Sequence, residues 1–326
     1  MNAKPEAVWS ELTKQGRNNW YFMLDVEGAF VPGGHVSWKA GEDLAEEAEV
    51  VAAEPPRRLE LLTKLHFAPN LAALPPHRLV WEVTPDDDRG TRVTLSWEAE
   101  PAASNLYESE GDGILRGLQL AVDPSAREEL ARLAEIGEVD VRDVTPDRVA
   151  DYLDFFDHHA FRDFPAWQSC YCMETHRHHS DEEWSARTGA DNRADMQTMI
   201  GNGGVTALLA YVDGKPVGWC NYGETTHLSG VMTKLKLDAA EHAGVGSISC
   251  FVIAAPYRGH GIATRLLDVA IERLQAKGLR AVEAYPRAED EGNDQAHYRG
   301  SMRMYQKAGF EPYRDMGRYQ IVRKQL

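Results

Sequence analysis

The stretch Arg258-Gly259-His260-Gly261-Ile262-Ala263-Thr264 combines residue types that suit one task, holding a phosphate-bearing ligand. Two glycines and an alanine let main chain lie against a ligand without Cβ obstruction. The amides that open a following helix have no partner within it, and the helix dipole adds partial positive charge. Thr264 offers a hydroxyl and Arg258 a guanidinium to the same anion. Further on, Glu283 stands in Ala-Val-Glu-Ala-Tyr-Pro, and a carboxylate among apolar neighbours is a group that can accept a proton. Tyr305, in Tyr-x-x-Ala-Gly-Phe, is a candidate proton donor; Glu224 and His176 rival Glu283 as base.

The elements needed to position these groups are readable around them. Residues 248–254 are β-branched, aromatic and sulfur-bearing, which predicts a buried strand ending before Pro256. Ile262, Leu266, Leu267, Ala270 and Leu274 recur at helical spacing, and Gly278 follows as a C-cap. Upstream, Asp213-Gly214 between two apolar runs predicts a type I′ hairpin of 205–212 and 215–222. A helix from Thr145-Pro146, helical segments over 181–200 broken near Gly189, a strand over 280–284 and two short strands over 314–323 complete this half. Residues 287–296 read as a polar loop.

Strand, Arg-x-x-Gly-x-Ala turn, amphipathic helix, and then Tyr305-x-x-Ala308-Gly309-Phe310 together resemble the GNAT superfamily of N-acetyltransferases, from Val139 to the C-terminus. The resemblance implies a mixed α/β sheet and acetyl-CoA as co-substrate, held by Phe251, Val252, Ile253, Arg258, Gly259, His260, Gly261, Ile262, Ala263 and Thr264. It implies main-chain donors on residues 250–253 for the oxyanion, at a bulge or splay, and Tyr305 as the acid that protonates the thiolate. Many relatives carry asparagine seven residues before that tyrosine; here the position is Tyr298. It also implies that Phe164, Trp167, Cys170 and Tyr171, after the first helix, frame an acceptor pocket. Cys170-x-Cys172 is one residue short of the usual zinc clip, and the nearby histidines lack helical spacing, so no metal is expected.

The first 137 residues read differently. A short helix over 5–13 is followed by alternating segments at 20–26, 35–39, 45–52, 57–66, 77–84 and 92–99, separated by Pro-, Gly- and Asp-rich turns that include residues 86–90. A helix over 113–122 is interrupted at Pro124, and Asp123 caps a second helix reaching residue 136. Five of the eight tryptophans lie here (Trp9, Trp20, Trp38, Trp81, Trp97), enough aromatic surface to fill a core or to enclose an apolar ligand. Val8-Trp9, Phe30-Val31-Pro32-Gly33-Gly34, Pro55-Pro56-Arg57-Arg58-Leu59 and Gly90-Thr91-Arg92-Val93-Thr94-Leu95 resemble the START-like (SRPBCC) superfamily, in the family related to the activator of the Hsp90 ATPase. That family usually has a strand before the first helix, and this chain begins almost at the helix.

The expected fold class is therefore α+β in two domains: residues 1–137, a START-like helix-grip antiparallel sheet, and residues 138–326, a GNAT sheet. Formal net charge is −16 over 326 residues, which disfavours nucleic-acid backbones and favours cationic partners. No apolar run approaches the ~18 residues of a membrane span, no secretory leader is read at the N-terminus, and four cysteines suit a reducing, cytoplasmic setting. The expected partners are a small-molecule primary amine, an apolar ligand in the first domain and a second copy of the chain, with neither nucleic acid nor membrane. A non-catalytic acetyl-CoA or ligand sensor and a protein N-acetyltransferase are the competing functions.

Overall fold

The computed structural model describes residues 1–86, 90–131, 136–288 and 297–326. The chain divides into two compact units, each α+β and each with its own seven-stranded sheet. The first comprises Met1–Arg132 with Asp163–Ser169 and Ser180–Ala190, and the second comprises Leu133–Arg162, Cys170–His179 and Asp191–Leu326. Two short returns of chain beyond residue 138 thus belong with the first unit. The turn residues 87–89, the end of the expected second helix at 132–135 and loop residues 289–296 lie outside the described residues.

The first unit runs α1 (Pro5–Leu12), β1 (Gly16–Asn18), β2 (Leu24–Gly28), β3 (His35–Ala40), β4 (Asp43–Glu54), β5 (Arg58–Leu65), α2 (Pro69–Ala72), β6 (His77–Asp86), β7 (Gly90–Glu98), α3 (Pro101–Val122) and α4 (Pro124–Ala131). Its sheet is an antiparallel meander in sequence order. Alternating inward residues of β3 to β7 meet one face of α3 (Tyr107, Ile114, Leu118) around Trp20, Trp38 and Trp81.

Two expectations change in this unit. Residues 20–23 are not strand: Phe22 and Met23 turn through φ of 53° and 57°, while Trp20 and Tyr21 are buried. An apolar run imitates a strand when its side chains enter the core from a turn. Helix α3 also starts twelve residues earlier than residue 113, at Pro101. Its Gly113 and Gly117 are there for close approach, since a Cβ would come within 2.7 Å of the Pro165 carbonyl oxygen and 2.8 Å of that of Trp20. As expected, Asp123 ends α3 and accepts from the amides of Ser125 and Ala126 at 3.1 and 3.3 Å.

The second unit holds β8 (Val139–Asp143), α5 (Val149–His158), α6 (Met173–His176), α8 (Gly189–Gly201), β9 (Ala207–Val212), β10 (Lys215–Glu224), α9 (Ser229–Lys234), β11 (Val245–Ile253), α10 (Ile262–Ala276), β12 (Ala281–Ala284), α11 (Met302–Lys307), β13 (Glu311–Asp315) and β14 (Gln320–Gln325); α7 (Asp181–Ala186) falls in the first unit. Strand order is β13-β14-β12-β11-β10-β9-β8; β11 and β12 run parallel, and the other neighbours among the described residues run antiparallel. Asp213 and Gly214 both take positive φ, 50° and 76°, as a type I′ turn requires. Helix α10 buries Leu266, Leu267, Ala270 and Leu274 on the sheet. Tyr152 and Phe156 of α5 pack against Trp219 of β10. Among the described residues, no helix is long and apolar enough to cross a membrane.

Candidate active site

The parallel pairing of β11 with β12 runs from Val245↔Ala281 to Ile248↔Ala284 and stops there. β11 continues to Ile253 along β10 alone, so the sheet opens into a splay at its centre. Opposite Asn221 and Tyr222 the register shifts, leaving Ser249 as an extra residue in β11, a bulge that re-aims the strand beyond it. In an antiparallel ladder alternate amides point away from the partner, so those of Phe251 and Ile253 face the splay. The Phe251 amide donates to the carbonyl oxygen of Tyr298 at 2.6 Å.

At the end of β11 the turn enters α10 through Gly259 and Gly261, both at φ of 78°. A Cβ on either would meet nothing within 4 Å, so open space lies over the turn. No side chain caps α10, and the Arg265 N–H donates to the Gly261 carbonyl at 2.9 Å. The amides of the first turn are thus presented as an anion cradle. Ile262 is buried against the sheet and Thr264 is exposed. His260 Nδ1 lies 2.9 Å from the Arg258 carbonyl oxygen, and the Arg258 guanidinium donates to the Ile253 carbonyl at 3.0 Å, tying the turn to the strand. Phe251 and Val252 are buried; Phe251 packs beneath α10.

Tyr305 is fully buried, and its hydroxyl donates to the Arg299 carbonyl at 2.7 Å. Burial raises its pKa well above the usual tyrosine range, so it keeps its proton. The neighbouring carbonyls of Tyr298 and Arg299 therefore hold the two donor groups, one on β11 and one on α11.

Glu283 sits elsewhere. It pairs with Ser247 before the splay opens, and it is fully buried. Its carboxylate accepts from Arg323 Nε at 2.8 Å and from the same guanidinium's Nη2, and lies 3.2 Å from His242 Nε2. The geometry makes it a buried ion-pair residue rather than a free base, because its charge is already committed to Arg323. Among its rivals, burial lowers the His176 pKa to about 4, and its Nε2 lies 2.6 Å from the Asn221 side-chain nitrogen. Glu224 is half-buried, with its carboxylate 3.9 Å from His227.

The four expected pocket residues are divided between the two units. Phe164 and Trp167 belong to the first unit, edge to face at 4.8 Å and packed with Met23. Cys170 and Tyr171 belong to the second, where the Tyr171 hydroxyl donates to Asp157 at 2.8 Å and burial pushes the Cys170 thiol up to about 12. Sequence reasoning passed over their neighbour Cys172. Tyr171 and Cys172 both take left-handed φ, 46° and 58°, a strained pair for non-glycine residues. This aims the Cys172 sulfur at Trp219, whose indole N–H donates to it at 3.1 Å. Burial opposes ionisation, yet hydrogen bonds from Cys250, Thr175, Trp219 and Asn221 outweigh it and bring the Cys172 thiol below the usual range. The only sequence signal was the Cys-x-Cys spacing. Among the described residues, no group of three or more His, Cys, Asp or Glu side chains is gathered to hold a metal ion.

Residues 156–310 match the family model of the acetyltransferase (GNAT) family, and residues 2–114 match that of the activator of Hsp90 ATPase homolog 1-like protein. No curated protein sequence matches the chain. Solved structures with likeness to it include an N-acetyltransferase from Staphylococcus aureus Mu50, at 16% identity over 58% of this chain and 98% of that one, with a TM-score of 0.34. Another is the paia N-acetyltransferase from Thermoplasma acidophilum in complex with coenzyme A, at 14% over 58% and 100%, TM-score 0.36. A third is CalU16 from Micromonospora echinospora, at 19% over 39% and 74%, TM-score 0.31. On the two family models, the chain joins an N-terminal domain of the activator of Hsp90 ATPase homolog 1-like family to a C-terminal GNAT acetyltransferase domain, and it is an acyltransferase.

Proposed function

We propose that the protein transfers the acetyl group of acetyl-CoA to the primary amine of a small molecule, and that its START-like domain binds or positions a ligand. The observation that carries this reading is the uncapped, unobstructed glycine turn at the start of α10, directly beyond a strand whose free edge faces a splay. The diphosphate of coenzyme A fits the open amides of residues 259–264. A thioester lying along the splay would bring its carbonyl to the edge of β11.

Acetyl-CoA would supply the activated acyl group; the rest is the work of this chain. The Phe251 amide is placed to donate to the oxyanion that develops as an amine adds to the carbonyl. Tyr305, which burial keeps protonated, is placed to give its proton to the departing thiolate. Both donors must first exchange their bonds to Tyr298 and Arg299 for bonds to the reacting atoms. The amine must lose a proton before it attacks, and a water chain on the acceptor side serves better than Glu283, whose carboxylate is held by Arg323. Segment 170–176, with Cys170 and Tyr171, would frame that side. Thiol release from acetyl-CoA, measured against a panel of primary amines with the full-length chain, tests the proposal. Amine-dependent release supports it; binding of coenzyme A with no release by any amine would favour a sensor.

A further inference from the structure

One charged group in the second unit is buried without adequate compensation. Arg299 is 1% exposed, and its Nη1 has no hydrogen-bond partner. Its Nε donates to the hydroxyl of the adjacent Tyr298 at 3.2 Å, and its guanidinium lies over the Tyr298 ring at 5.2 Å and the Tyr319 ring at 5.1 Å. The two hydroxyls are 3.0 Å apart, so the rings form one wall. Arg287 lies against the Tyr319 ring at 5.7 Å and is engaged with other groups. Among the described residues, Arg299 makes no ion pair. Glu174, whose carboxyl is drawn down against its burial first by Lys234 and then by Arg299, is already bonded to the Lys234 ammonium.

A guanidinium carries five donors in a planar fork, and stacking on aromatic faces offsets only part of its desolvation. A buried cation kept in this state is costly unless something else completes it. Its position says what that is. The carbonyl of Arg299 accepts from Tyr305, and the preceding carbonyl accepts from the Phe251 amide, so the side chain stands at the acyl end of the splay. The diphosphate cradle lies beyond the C-terminal end of β11, in the turn of residues 259–264, and pantetheine carries no charge, so the acceptor is the remaining source of an anion beside Arg299. Lys234 and Arg299 against Glu174 leave one positive charge in excess, which suits a monoanion; a phosphate monoester would bring about −1.5 to −2.

Building on the acetyltransferase reading, we infer that Arg299 is the receptor for a carboxylate of the acceptor, and that the acceptor is an amino acid or a similar compound bearing both amine and carboxylate. The planar fork grips both carboxylate oxygens while the two tyrosine rings hold the guanidinium in place.

The test compares the full-length protein with its Arg299→Gln and Arg299→Lys variants. Acetylation is measured for matched pairs, the common amino acids against their decarboxylated amines, with phosphoethanolamine against ethanolamine as the phosphate arm. The wild type should favour the amino acids by roughly ten- to a hundredfold in kcat/KM, the worth of one charge-assisted pair. Arg299→Gln should abolish the preference, and Arg299→Lys should keep part of it. Equal turnover within pairs, a preference for phosphoethanolamine, or discrimination that survives in Arg299→Gln overturns the inference. Calorimetry with coenzyme A separates this failure from that of the enzymatic reading and reports whether each variant is folded. If coenzyme A gives no heat, thermal melts in acetate, phosphate and chloride at matched ionic strength decide the anion site: stabilisation by acetate alone, lost in Arg299→Gln, supports it, and equal melts refute it.

Discussion

The Phe251 amide bonds the Tyr298 carbonyl at 2.6 Å, and one residue further on the Arg299 carbonyl takes the Tyr305 hydroxyl at 2.7 Å. A three-residue strap thus satisfies the Phe251 amide and the Tyr305 hydroxyl. Gly300 closes it at φ of 81°, where a Cβ would come within 2.5 Å of the Tyr305 hydroxyl. The strap spares the free protein two unsatisfied buried donors, at the cost of exchanging those bonds when substrate enters.

Tyr305→Phe separates a chemical role from a structural one. A general acid contributes about 10²- to 10⁴-fold, so kcat should fall by that order with coenzyme A affinity unchanged. Loss of the bond to Arg299 should cost about 1 kcal/mol of stability. Steady-state kinetics beside calorimetry checks this; an unaltered kcat with the same stability loss would leave Tyr305 as a prop for the strap.

The glycine turn offers a controlled experiment. Gly259, Gly261 and Gly278 share φ near 75–78°, and none has an atom within 4 Å of its Cβ position. Alanine at each should cost a similar ~1–2 kcal/mol of stability through left-handed strain. Only at Gly259 and Gly261 would the methyl stand over the open amides. Those two variants should bind coenzyme A roughly ten- to a hundredfold more weakly, by loss of one charge-assisted bond, while Gly278→Ala binds normally. Equal affinities in all three would show that the turn does not hold the diphosphate.

Local chemistry made much of this unit legible in its sequence. Asp213-Gly214 specifies its hairpin by left-handed turn geometry, and the α10 pattern specifies which face meets the sheet. What escaped depends on partners distant in sequence. The packing of Phe164 and Trp167 on Met23 is one such case, since some 140 residues separate them. The first half of α3 is polar and ends at Gly111, so propensity argues against a helix that tertiary contact supports. Glu283 among apolar neighbours fits a base and an ion pair equally well; only the register of β12 on β14, which brings Arg323 opposite, separates the two.

That register makes a prediction of its own. Glu283→Gln leaves the half-buried Arg323 and the buried His242 without their carboxylate, and breaking a pair on a buried carboxylate in this way costs about 3 kcal/mol. Chemical denaturation should show the loss. If the variant instead keeps full stability while its kcat collapses, Glu283 is the base after all.

The first unit carries a pH-dependent term of its own. Glu46 is 4% exposed, and the Tyr21 hydroxyl donates to it at 2.8 Å. Burial raises its pKa from 4.5 to about 7, with the Tyr21 bond opposing. The folded state therefore holds a proton that the unfolded chain releases near pH 4.5. This contribution is fully present below pH 4.5, declines as pH rises toward 7 and is lost above it, a difference of about 3 kcal/mol. Glu46→Gln keeps the shape of the protonated acid and removes the titration. Urea denaturation followed by tryptophan fluorescence at pH 5 and pH 8 should show the wild type losing stability between the two while the variant does not. Parallel changes in both proteins would assign the pH dependence to other groups.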